Sequence, residues 1–212
     1  MPHRYFYDTV AEKENNGKKI TDTIWHRVSN MSFTNQLGKK VSLDDLHGKI
    51  LVVDFFFTTC PTICPGLALS MKRLQNSFRK NDSIVQFVSI SIDPERDSVP
   101  RLRAFADKYN ANHDTWWFLT GDKKQTYDLA IKEMKANIAD VGADTAFPHT
   151  ENFFLLDTSM MFKCHHDFKL RKTKPELTKE SGIRLLFHHC TKFVEHESQV
   201  IFWTHISTLP VK

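Results

Sequence analysis

No stretch of the 212-residue chain comes near the roughly 18 uninterrupted apolar residues that a membrane-spanning helix requires. The opening Met1-Pro-His-Arg-Tyr-Phe-Tyr-Asp8 also lacks the basic-then-apolar layout of a secretory signal, so a soluble chain without a membrane segment is expected. Glycine is scarce at seven residues and proline at eight, which excludes collagen-like and low-complexity chains. Four cysteines are too few for a disulfide-stapled secreted scaffold of this length. Charge of one sign is lacking too. Residues 1–157 balance 20 Lys/Arg against 20 Asp/Glu, and the whole formal excess of +4 lies in residues 158–212, with 9 against 5. A neutral body with no basic run interleaved with aromatics argues against a nucleic-acid partner.

What is present is the composition of one globular domain, 41% hydrophobic and 25% charged. Ile50-Leu-Val-Val-Asp-Phe-Phe-Phe57 is a near-continuous apolar and aromatic run, the pattern of a central strand covered on both faces. Leu67, Met71, Leu74 and Phe78 recur at helical spacing and predict a helix running to about Arg79. Ile84–Ile92 alternates like a strand and is stopped by Asp93-Pro94. Leu102, Phe105, Ala106 and Tyr109 predict a second helix, Trp116–Leu119 a third strand, Lys123–Ala136 a further helical segment and Phe153–Leu156 a fourth strand. Upstream, Phe33–Ser42 reads as a hairpin turning near Leu37-Gly38. Alternating strands and helices imply an α/β sandwich with parallel pairs and a site at the carboxyl ends of the strands.

The rhythm fades after Asp157. Residues 1–157, with a core from about 33, are expected to form one domain, and 158–212 its C-terminal part or an atypical extension. That tail holds six of the eleven histidines, two of the four cysteines and a single glycine.

The chemistry gathers at Thr58-Thr-Cys60-Pro-Thr-Ile-Cys64-Pro65, where the first central strand passes into the first helix. Cysteines at i and i+4 are expected on the same side of a first helical turn, close enough to share an ion or to join as a disulfide. Pro61 suits an early helical position, where a missing N–H costs nothing. The amides and positive dipole end of a helix start favour thiolate over thiol. Soft-metal ligation and thiol redox chemistry both follow; the inert alternative, two small buried hydrophobes, fits the placement less well. In Phe147-Pro-His149-Thr150, just before the fourth strand, His149 is either an ordinary polar residue or a third ligand. Two thiolates with one imidazole suit copper, as Cu(I) or as trigonal Cu(II), whereas a structural zinc asks for a fourth ligand.

Taken together, Asp54–Pro65, Phe87-Val-Ser-Ile-Ser-Ile-Asp-Pro94, Phe118-Leu-Thr-Gly121 and His149 with Phe153-Phe-Leu-Leu-Asp157 resemble the Sco/SenC family over about Phe33 to Asp157. The resemblance implies a thioredoxin-like sandwich, with a central mixed sheet flanked by helices and an N-terminal β-hairpin. It implies Cys60, Cys64 and His149 as the ligands of one copper, Cu(I) or Cu(II). That copper is delivered to the binuclear site of cytochrome c oxidase subunit II, with other copper chaperones or thioredoxin-like reductants as further partners. A metallochaperone rather than an enzyme is expected. The alternative is a thiol-disulfide oxidoreductase that uses Cys60 and Cys64 to reduce a metal-receiving partner; a peroxidase reading of Cys60 lacks an activating Arg-Thr surround. Family members are commonly tethered by one N-terminal helix, so the expected location is the periplasmic face of the bacterial inner membrane, with the anchor absent from this chain.

Three further features carry expectations. Cys164-His165-His166 and His188-His189-Cys190 are mirror-image clusters that bind a second metal only if the chain brings them together. The family usually passes from the Asp157 strand end through a Gly-bearing turn into another strand and a closing helix, and Thr158–Lys212 shows no clear version of that pattern. Asp93–Asp97 either contributes polar groups near the mouth of the site or, as the simpler expectation, supplies a cap for the helix that begins near Val99-Pro100.

Overall fold

The computed structural model describes residues 7–15, 18–79, 83–138 and 152–167. The chain divides into two units, Met1–Thr173 and Lys174–Lys212, and every described residue belongs to the first. β1 (Tyr7–Asn15) and β2 (Lys18–Trp25) pair antiparallel as a two-stranded sheet of their own, which the sequence reading did not anticipate. β3 (Ser32–Asn35) and β4 (Lys40–Ser42) form the expected hairpin. Its turn is held by the Asn35 side-chain oxygen, which accepts the amides of Leu37 and Lys39 at 3.0 Å each, and Gly38 takes the left-handed φ of +78° that a side chain would strain.

β5 (Ile50–Phe56) is buried at all seven positions, as the apolar run predicts. α1 (Cys64–Ser77) covers it with Cys64, Leu67, Ala68, Met71 and Gln75. β6 (Val85–Ser91) is likewise buried throughout, although its sequence alternates. The alternation identified a strand, but its polar residues face protein instead of water and find partners there: Gln86 accepts from Lys49 Nζ at 3.1 Å, and the Ser89 hydroxyl accepts from the Trp116 indole at 2.9 Å. α2 (Val99–Lys108) buries Leu102, Phe105 and Ala106, and β7 (Trp116–Thr120) follows. The helical segment predicted from Lys123 starts as α3 (Lys123–Tyr127) and widens into a π-turn over Asp128–Glu133. There the Glu133 carboxyl group contacts the His26 ring at 2.9 Å and accepts the Ser29 amide and hydroxyl at 3.1 Å, tying this turn to the segment before β3.

β8 (Asn152–Leu156) matches the fourth expected strand, and β9 (Phe162–Asp167) adds one that the sequence reading did not place. The strand order is β4-β3-β7-β6-β5-β8-β9, with β5–β6 and β6–β7 parallel and every other pairing antiparallel. This is the mixed central sheet that was expected. Between β8 and β9 the turn places Met160, not a glycine, at φ +63°. That missing glycine is why the strand was hard to recognise.

Aromatic packing fixes β5 in both layers. Phe56 meets Phe105 at 5.0 Å and Phe118 at 5.6 Å between ring centroids, while its neighbour Phe55 meets Phe154 at 5.5 Å. Successive strand side chains point to opposite faces, so these contacts hold the strand from both sides just before the cysteine motif.

Candidate metal centre

The site is built where β5 hands over to α1. After Phe56 the chain turns, with the Cys60 amide donating to the Phe57 carbonyl at 3.3 Å, and α1 begins only at Cys64. The expected arrangement, both cysteines in one helical turn with Pro61 in the helix, is therefore corrected. Cys60 and Pro61 precede the helix, and Pro65 takes the early helical position. The sulfurs meet in another way: Cys60 Sγ accepts the Cys64 backbone amide at 3.4 Å and so caps the start of α1. Thr62 Oγ1 lies 4.0 Å from the same sulfur. Both cysteines are reduced and buried, at 6% and 2% exposure, between exposed Thr59, Pro61 and Thr62.

The two thiols share their protons unequally. The Cys64 thiol donates to Cys60 and holds it well below the ordinary thiol range; against burial, the amides of Cys64, Thr62 and Ile63 add to the same effect. Cys64 is pushed up by that same bond and by burial, with the negative charges of Cys60 and Asp54 contributing. The pair thus favours the negative charge on Cys60 and the proton on Cys64, in the electropositive setting of a helix start. A soft-metal cargo and thiol exchange both require such a sulfur.

Two acidic residues outside the expected ligand set lie close by. Asp54, the single charged residue within β5, is 2% exposed and pairs in register with Ser89. Burial raises its carboxyl group to about 7 against a hydrogen bond from Ser89, and its Oδ1 has no hydrogen-bond partner among the described residues. Asp97 was expected near a helix cap. The N-cap of α2 is Ser98 instead, and the Asp97 carboxyl group turns inward to the loop that carries Cys60. The sequence signals were a charge inside an apolar strand and a second aspartate four residues beyond a strand-ending Asp-Pro.

His149 and the cluster His188-His189-Cys190 lie outside the described residues. Cys164, His165 and His166 fall on β9, opposite Leu155, Phe154 and Phe153. Among the described residues no group of three or more Cys, His, Asp or Glu side chains gathers as a metal site. Nor is any described helix long and apolar enough to cross a membrane.

A reduced cysteine pair at the exit of a central strand, on a sheet that combines parallel β5–β6–β7 with antiparallel β8, defines a thioredoxin-like thiol protein. Comparison with known proteins narrows the class. The SCO1/SenC family model matches residues 25–180, and the chain belongs to that family. It is 36% identical over 141 residues to the SCO1 protein homolog of Bacillus subtilis, covering 66% of this chain and 73% of the relative. Among solved structures, a SCO1/SenC family lipoprotein from Bacillus anthracis superposes with a TM-score of 0.66 at 29% identity, over 77% of this chain and 94% of that one. BsSco, a member of the Sco family of cytochrome c oxidase assembly proteins in which a disulfide switch was identified, gives 0.65 at 29%, over 81% and 97%. Copper-bound ScoI of Arabidopsis thaliana gives 0.57 at 25%, over 68% and 88%.

Proposed function

We propose that this chain binds one copper ion as cargo through Cys60, Cys64 and His149 and delivers it to the binuclear copper site of cytochrome c oxidase subunit II. The observation that carries the reading is the Cys60–Cys64 pair, reduced, with the Cys60 sulfur seated on the Cys64 amide at the helix start. Family membership and the copper-bound Arabidopsis relative support the choice of metal. The sheet register supports His149 as third ligand. β8 runs antiparallel to β5, with Phe154 opposite Val53, so the start of β8 lies toward the end of β5 from which Cys60 follows. His149 precedes Asn152 by three residues, a span of at most about 10 Å. Three ligands leave a coordination position through which a receiving protein's ligand can enter. The proposed location is the periplasmic face of a bacterial inner membrane; the lipoprotein relative from Bacillus anthracis supports the membrane attachment in that reading.

The test is native mass spectrometry of the reduced protein loaded with Cu(I), wild type beside Cys60→Ser, Cys64→Ser and His149→Ala. Both serine variants are expected to lose tight copper retention, and the alanine variant to retain it more weakly. Full retention in all three overturns the reading.

A second reading is thiol-disulfide exchange on the cysteines of the metal-receiving partner, favoured by the unequal sharing of protons between Cys60 and Cys64. Reductase activity that survives His149→Ala while copper retention falls separates the two.

A further inference from the structure

Asp97 is fully buried at 0% exposure in the loop between β6 and α2, and both of its carboxyl oxygens are occupied. Oδ1 accepts the Thr58 hydroxyl at 2.5 Å and Oδ2 the Thr58 amide at 3.1 Å. Oδ2 also accepts the Ser91 hydroxyl at 2.6 Å. The Asp97 amide donates back to the Asp93 carbonyl at 2.9 Å, and the Asp93 amide to Ser91 Oγ at 3.1 Å. One side chain therefore joins the loop that follows β5 to the end of β6, and it takes hold of that loop two residues before Cys60. No ion pair within the described residues reaches it, since Arg96 lies beside Asp93. A buried carboxyl group is costly unless its hydrogen bonds are made, and here most of them go to the cysteine loop.

We propose that Asp97 is the positioning residue of the cysteine pair: by clamping Thr58 it holds the Cys60 sulfur at the Cys64 amide and thereby favours the dithiol over the disulfide. The inference rests on the reading of Cys60 and Cys64 as the reactive pair. With Thr58 clamped, the reduced sulfur keeps its donor at 3.4 Å. With Thr58 released, the loop samples positions in which that bond is lost. A dithiol whose reduced form loses stabilisation is more readily oxidised. Asp97 touches neither sulfur and acts only through Thr58.

The experiment equilibrates the full chain with mixtures of reduced and oxidised dithiothreitol. One protein disulfide plus one dithiothreitol dithiol gives one protein dithiol plus one cyclic dithiothreitol disulfide, so electrons and protons balance. Thr58→Val keeps the amide and removes one donor. Asp97→Asn keeps the shape and sets an NH2 group against the donors. Both are expected to shift the equilibrium at least twofold toward the protein disulfide, and the double variant to shift it no further than the larger single. Ser91→Ala removes the hydrogen bond that the same carboxyl group receives from β6 rather than from the cysteine loop. Because both Thr58 donors stay on Asp97, it is expected to lower the urea midpoint while leaving the equilibrium within twofold of wild type. Should Asp97→Asn fail to fold, Thr58→Val decides alone. A shift below twofold in Thr58→Val, or an equal shift in Ser91→Ala, overturns the proposal. A wild-type chain with no reversible dithiol–disulfide equilibrium removes instead the reading of the pair on which the proposal stands.

Discussion

Asp54 makes folding stability depend on pH in a direction opposite to that of a salt-bridged carboxylate. Burial raises it from 3.8 to about 7. Between those values the unfolded chain releases the proton while the folded chain keeps it, so this residue's contribution is full below about 4, declines as pH rises and levels off above about 7. Three pKa units set a ceiling of about 4 kcal/mol. Asn at this position mimics the protonated acid. The advantage of Asp54→Asn over wild type, read as urea unfolding of the reduced, ion-free protein, is expected to widen from pH 5 to pH 8. A constant gap would show that Asp54 titrates as an exposed carboxyl group does.

At the scale of elements, the joint between β3 and β7 is the tightest point to probe. A Cβ on Gly121 would come within 2.9 Å of the Phe33 ring, which is itself buried at 3% exposure. Gly121→Ala is expected to cost about 1–3 kcal/mol in urea unfolding, because an aromatic core side chain has little freedom to yield. The elements legible in the sequence were those whose period is set by a single environment: the uniformly apolar β5, the amphipathic α1 and α2, and the hairpin whose turn needs Gly38. The β1–β2 hairpin, β9 and the π-turn escaped. β9 follows a turn with Met160 in the glycine's place, and the π-turn over Asp128–Glu133 has no period of its own. The site divides in the same way. Cys60 and Cys64 were visible from their spacing, but their seating before and at the start of α1 was not, since both prolines of the motif suit an early helical position equally well. The inward turn of Asp97 was hidden because its donors, Thr58 and Ser91, belong to two other segments.

For the molecule as a whole, a ligand that binds the folded chain alone must stabilise it. Cu(I) held by Cys60 and Cys64 is expected to raise the unfolding free energy by about 2.7 kcal/mol when free ion exceeds its Kd a hundredfold. The measurement is thermal or urea unfolding of the reduced protein at stepped, buffered Cu(I), and the rise should vanish in Cys60→Ser. A rise that persists there would mean that the ion is held elsewhere. The parallel run of β5, β6 and β7 has a consequence for handling the protein. All three strands begin at one rim of the sheet and end at the other, so among the described residues one rim, near Asp114, lies away from the cysteine pair and the other, near Glu95, lies on its side. Tethered to a bead through a linker placed at Asp114, the chain should present its sulfurs outward and exchange with dithiothreitol as fast as in free solution; tethered at Glu95, it should be shielded by its own support.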